Sequence, residues 1–264
     1  VANRPVSKSG LILGTGSDIR GINRVEDKQL EKRITETISD HHFFKEKYEK
    51  LDQVQELFNE IDGEGLNLVL NKFFNSFRQL ANQPENETMR SIVRDSARLA
   101  VSDFKKIAER LNTVSRTVDK QITQGVEEIN TITKEIAKIN VRIAKLEAAG
   151  EETGDLRDRR DVAIRDLSKY IKIKTYVDDR GNYVVNSDGV GSLVSAGKTL
   201  ELITKGQTKE NSSNGMSGSI DVFFKSRPSR PISERFEGGK LSSMFEVKNK
   251  TVQYLKKRMD KLAF

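Results

Sequence analysis

The chain lacks cysteine and tryptophan entirely, and its 264 residues include only two histidines and four prolines. Without a thiol there is no disulfide, no thiolate nucleophile and no cysteine-based zinc site. The redox compartment stays open, because a cysteine-free chain tolerates either state. His41 and His42 are adjacent, and neighbouring helical positions project about 100° apart, so the pair cannot chelate one ion. No apolar run approaches the ~18 residues that mark a membrane-spanning helix, and no secretory leader is visible. Gly14-Thr15-Gly16 is next followed by Gly21, which completes neither a dinucleotide fingerprint nor a Walker loop. No histidine-paired nucleophile is evident, so these absences point away from an enzyme, a metal or a cofactor.

What the chain does have is charge and helical period. Charged residues make up 32% against 35% hydrophobic, and the mean hydropathy is -0.60; that balance suits slender helices with much surface and little interior. From Glu85 to Ala149 nothing signals a turn. Phe104, Ile107, Leu111, Val114, Val118, Ile122, Val126, Ile129, Ile132, Ile136, Ile139, Ile143 and Leu146 step by threes and fours, which keeps a narrow apolar stripe on one helix side. A helix of roughly 60 residues is about 90 Å long, whereas a compact globule of this chain length has a diameter of about 45–50 Å. The chain is therefore expected to be elongated, with a bend or packing accommodation near Gly125, where Val118, Ile122 and Val126 form a run of consecutive fours.

Other helices are expected over 24–61, stopped by Gly63 and Gly65, and over Leu66–Ala81, whose Phe73, Phe74 and Phe77 are expected to anchor it to the rod. Pro84 is placed where the start of the rod tolerates it. A further helix runs over 155–170, with Asp155 as its cap. After Ile171 the period changes to two. Tyr176-Val177 and Tyr183-Val184-Val185 flank the turn Asp178–Asn182, a β-hairpin signal. Short strands fit Ser192–Val194, Thr199–Thr204 and Ser219–Lys225, with a polar loop over 207–217, and Pro228 and Pro231 are expected to close the β part. A last helix, 240–264, carries Leu241, Met244, Phe245, Val252, Leu255, Met259 and Leu262 on one stripe. The fold is thus read as mainly α with a smaller β part: a helical rod of residues 1–170 plus 236–264 and a small β-rich domain, 171–235.

Three charged groupings invite a site. Asp155, Asp158 and Asp161 share one helix side, but arginines interleave them, and a helix start favours carboxylates for its dipole. Asp178-Asp179-Arg180-Gly181-Asn182 lacks the spaced ligands and bidentate glutamate of a calcium loop. Residues 225–264 hold eleven Lys/Arg against four Asp/Glu, which accounts for the whole net charge of +7. Lys256, Lys257, Arg258 and Lys261 lie there, but aromatic stacking partners are sparse and no nucleic-acid-reading motif is present. No catalytic, cofactor or metal residue is assigned, and neither nucleic-acid binding nor membrane insertion is expected.

Several runs resemble a known family. Leu70-Asn71-Lys72-Phe73-Phe74-Asn75, Leu80-Ala81 and Pro84 look like one of its motifs. Val126-Glu127-Glu128-Ile129-Asn130 looks like a second, and Asp155-Leu156-Arg157-Asp158-Arg159-Arg160-Asp161 with Leu167 like a third. Gly238-Gly239-Lys240-Leu241 is similar to its return to the rod, and Gly14-Thr15-Gly16 through Leu30 to the entry of axial proteins into their first long helix. In this order, across nearly the whole chain, they resemble the flagellar hook-associated protein 1 family, in the form of a core lacking both terminal polymerisation segments. The resemblance implies a structural subunit of the bacterial flagellum, exported by the flagellar secretion system to an extracellular position. There it forms the hook–filament junction by assembling with like subunits into a tubular lattice, with flagellar hook protein and hook-associated protein 3 as neighbours. The alternatives are another axial protein, hook-associated protein 3 or a flagellin, and a coiled-coil adaptor using the basic C-terminal helix.

Overall fold

A computed structural model of the chain describes residues 5–8, 11–14, 27–59, 66–179, 181–206 and 220–263. The lead-in contributes an antiparallel pair, β1 (Pro5–Lys8) and β2 (Leu11–Gly14). The expected glycine turn at Thr15-Gly16, the Gly63/Gly65 stop and the 207–217 loop lie outside the described residues.

Helix α1 (Lys28–Asn59) starts at Asp27, whose Oδ1 accepts from the amides of Gln29 and Leu30, both at 3.0 Å; such a carboxylate cap satisfies orphan first-turn donors. Helix α2 (Leu66–Asn82) leads into α3 (Glu87–Ala148), 62 residues that extend about 93 Å. Asn86 caps α3 by accepting from Thr88 and Met89, and the Pro84 carbonyl accepts from Arg90 two residues before that cap. The rod is a single α-helix through Gly125. The expected bend or packing accommodation at Gly125 is not found: the helix runs on unbroken, and a Cβ there would stand at ordinary van der Waals distance, 3.7 Å from Leu241 and 3.8 Å from Tyr170.

Helix α4 (Gly154–Tyr170) folds back on α3 after the turn at Gly150. Its capping position is held by Thr153, two residues before the expected Asp155. The Thr153 hydroxyl donates to Glu147 on α3, 2.9 Å away, and Asp155 is left to the first turn, where it pairs with Arg159. Two antiparallel sheets follow. The first, in order β3-β4-β5-β6, comprises β3 (Ile173–Val177), β4 (Tyr183–Ser187), β5 (Gly191–Ser195) and β6 (Lys198–Thr199). The hairpin turn between β3 and β4 is built by Asp178, which accepts from both the amide and the side chain of Asn182, with Gly181 at φ +77°. The second sheet comprises β7 (Leu202–Gly206), β8 (Ile220–Phe224) and β9 (Arg227–Pro231). One strand expectation is corrected here: the Thr199–Thr204 stretch divides between the sheets. Pro228 and Pro231 belong to β9, the last strand, and the β part ends at Pro231 as expected. β9 is an exposed edge, where a residue without an N–H does no harm to the ladder.

After a 3-10 turn at Ser233–Arg235, the chain returns to the rod as α5 (Gly239–Glu246), a π-helical segment Val247–Val252, and α6 (Gln253–Ala263). The uninterrupted last helix expected from the stripe is thus broken by a π segment.

One apolar core runs through most of these elements. Val118, Ile122, Val126, Ile129 and Ile136 of α3 meet Ile164 and Leu167 of α4, Val185, Leu193, Leu202 and Val222 of the sheets, and Leu241 and Phe245 of α5. A second cluster holds Ile107 and Leu111 against Met259, with Phe104, Phe58 and Leu255 packed on it. Between Glu87 and Phe104 the rod packs on α2, through Val93 and Ala100 on α3 and Val69 on α2.

Candidate assembly surface

Two kinds of position matter on a rod: those that hold it together and those it presents outward. Asn130 is of the first kind. Its side chain donates to the Leu202 carbonyl at 2.7 Å and accepts from the Leu202 amide at 2.8 Å, so it stands in for a neighbouring strand at the start of β7. Asn140, ten residues on, donates to the carbonyl of Ala196 at 3.0 Å and accepts from the guanidinium of Arg160. Arg160 lies 3.7 Å from the ring centroid of Tyr183, a desolvated cation–π contact. Sequence reading gave Asn130 and Arg160 only as letters in motifs and passed over Asn140. Their signal was a polar residue recurring next to a strict apolar stripe.

Buried charge is the second thing periodicity hid. Lys248 in the π segment is 3% exposed and donates to Asp119 of α3, itself 8% exposed. Lys50 and Glu46 of α1 form another buried pair.

The phenylalanines of α2 overturn an expectation. Phe74 and Phe77 are 55% and 49% exposed, so they do not anchor the helix. The contact with α3 is made by small side chains that let the backbones approach: Val69, and Ser76, whose hydroxyl lies 2.8 Å from that of Ser96. The ring of Phe73 instead meets that of Phe77 edge-on and that of Phe74 at a tilt, with centroids 5.1 and 5.4 Å apart. On the other flank of α2, a groove of about 470 Å³ opens between α2 and α3, lined among others by Val69, Ile92 and Leu99. On α1, Phe44 and Tyr48 are 65% and 71% exposed and stand one turn apart. These exposed groups lie on helices that bury other positions against their neighbours.

The charged groupings fall out as follows. His41 is exposed and its ring meets that of His42 edge-on. Burial, then Lys240, holds His42 below the ordinary histidine range. Asp155 pairs with Arg159, while Asp161 faces a cleft between α1, α4 and β3. Lys257, Arg258 and Lys261 are exposed; Lys256 is half-buried, and burial depresses its pKa. On the β part, Glu201 accepts from both Lys134 of α3 and Lys225, each at 2.7 Å, and these hydrogen bonds pull its pKa down to about 2. Among the described residues no group of three or more His, Asp or Glu is placed to hold a metal ion, and no helix is long and apolar enough to cross a membrane.

The chain is similar to proteins of the flagellum. The chain is 29% identical over 182 residues to flagellar hook-associated protein 1 of Bacillus subtilis, covering 69% of this chain and 36% of that protein. It is 25% identical over 203 residues to the protein of the same name from Salmonella typhimurium, covering 76% and 36%. The chain therefore spans a little over a third of the length of these relatives. Its fold is similar to that of the flagellar hook junction protein FlgK from Burkholderia pseudomallei, with a TM-score of 0.67 at 21% identity over 86% of this chain and 40% of that one. A family model described as the flagellar hook-associated protein FlgK helical domain matches residues 51–264, more than three quarters of the sequence. The chain belongs to the FlgK helical-domain family of flagellar hook-associated proteins.

Proposed function

We propose that this chain is the structural core of an axial subunit of the bacterial flagellum, forming the hook–filament junction by packing side by side with like subunits in a tubular wall. The observation that carries this reading is the outward face of the rod. Phe44, Tyr48, Phe74 and Phe77 are exposed on helices that bury other positions against their neighbours, and exposed aromatic positions of this kind mark contact surfaces. The helical part, 1–170 plus 236–264, forms the wall and the β part, 171–235, stiffens one end of it. Flagellar hook protein and hook-associated protein 3 are the proposed neighbours, and the proposed location is extracellular, after export by the flagellar secretion system. No catalytic, cofactor or nucleic-acid role is proposed.

The test is made in the full-length gene, returned to a non-swimming deletion strain. Phe74→Asp combined with Phe77→Asp is expected to leave the chain folded and exported while filaments fail to stay attached. Because both side chains are about half exposed, the melting temperature should change little, within the ~0.5 kcal/mol of most surface substitutions. Full motility of that variant, and of Phe44→Asp with Tyr48→Asp, would refute the reading. A large loss of stability would return the phenylalanines to the core.

A further inference from the structure

The last helix is written in the sequence as one thing and folded as another. At 100° per residue, Leu241, Phe245, Lys248, Val252, Leu255 and Met259 fall within about 40° of a single line on an uninterrupted α-helix. The structure inserts a π segment, Val247–Val252, in the middle of that line, and the amide of Gln253 donates to the carbonyl of Lys248, five residues back. A six-residue π segment winds less than α, by about the turn of one residue, so everything after Val252 is rotated by about 100° from where a straight helix would carry it. In this rotated setting Val252 and Met259 are buried and Leu255 packs against the rod. Straightening the helix, with α5 held in place, would put Thr251, Tyr254 and Arg258 where those three now stand.

Something must hold the offset, and the π segment contains one buried polar contact to another element. Lys248 donates to Asp119, and both are almost wholly buried. The neighbouring apolar residues, Val247 and Val252, make contacts of no fixed direction, and such contacts tolerate a change of register. A buried charge with one partner does not, because losing the partner leaves it desolvated and unpaired.

We infer that the Asp119–Lys248 pair is a register latch: it holds the last helix in its π-wound setting against a sequence that is periodic for a straight α-helix. The latch fixes which side of α6 meets the rod, and therefore which side, carrying Tyr254, Lys257, Arg258 and Lys261, is turned outward. This is a property of the folded subunit and holds whether or not the subunit assembles as proposed above.

The chain has no cysteine, so two introduced thiols label cleanly. Spin labels at Arg110→Cys on α3 and Lys257→Cys on α6 report the rotation as a distance distribution. The decisive background is Asp119→Asn with Lys248→Met, which removes both members of the pair together and strands neither charge without the other. The latch predicts a displaced or two-peaked distribution in that background. It also predicts return to the parent distance in the charge-swapped Asp119→Lys, Lys248→Asp, provided the helical circular dichroism is unchanged. A neutral double variant with the parent distance overturns the inference, and so does a swapped variant that stays folded with a displaced distance. If the swapped variant unfolds, the neutral double variant decides alone.

Discussion

Replacing Gly239 by alanine tests how the chain is fixed at its return to the rod. Gly239 sits at φ +64°, and a Cβ built there stands 2.4 Å from the carbonyl carbon and oxygen of Tyr170 and 2.5 Å from the amide nitrogen of Ile171. The obstruction is backbone, at the corner between α4 and β3. That corner is held in place by the wholly buried Leu167 and Ile171 and by the Lys172 amide donating to Glu237 at 2.9 Å. The left-handed conformation alone costs a non-glycine residue about 1 kcal/mol, and forcing the corner aside brings the expected loss to about 3 kcal/mol. In a chain of this size that is a fall in melting temperature of about 6–12 °C, read by far-ultraviolet circular dichroism. Gly181→Ala supplies the comparison: φ is +77°, but nothing lies within 4 Å of the added Cβ, so only the conformational cost applies and the fall should be about 2–4 °C. Equal losses for the two variants would refute the argument from backbone collision.

Two further outcomes follow from side chains that join the sheets to the rod. Asn130→Ala leaves the amide and carbonyl of the buried Leu202 without the partners they have now; an expected loss of about 3 kcal/mol should appear in urea denaturation, and a loss below about 1 kcal/mol would show that β7 is held by packing alone. Glu201 has its pKa depressed from 4.5 to about 2, so the stability it contributes is complete above pH 4.5 and is lost as pH falls through 2. Melting temperatures measured across that window should therefore fall more for the parent than for Glu201→Gln, and parallel curves would contradict the assignment.

The rod was legible because thirteen apolar residues hold one period without a glycine or proline cluster to break it. The β-hairpin was legible because Asp178 and Gly181 are turn residues for stated reasons, one as an acceptor and one as a left-handed position. What could not be read was direction. Apolar character placed Phe73, Phe74 and Phe77 together on α2, but the side that meets α3 carries Val69 and Ser76 with Phe73 half-buried on the same stripe, while Phe74 and Phe77 turn outward. Nor does a stripe distinguish an exposed lysine from Lys248, since the difference lies in an aspartate 129 residues away. The prolines marked where the β part ends, but not that they would sit inside its last strand, because a proline's harm depends on whether a strand is interior or edge, and that is a property of the assembled sheet. The outward surface was the least legible part, because nothing within one chain records what covers it.

The uneven clothing of α3 has a mechanical consequence. From Phe104 onward the rod is braced by α4, α5, α6 and two sheets, but between Glu87 and Phe104, among the described residues, its main partner is α2. Bending resistance rises steeply with cross-section, so the subunit is a stiff beam that tapers to a compliant two-helix blade. Under torsion or flexure the strain would collect in the blade, where the serine pair and a few small apolar contacts can slide, and the hydrophobic core would stay undeformed. Hydrogen exchange should show that taper directly, with amides of the first four turns of α3 opening long before those around Ile129.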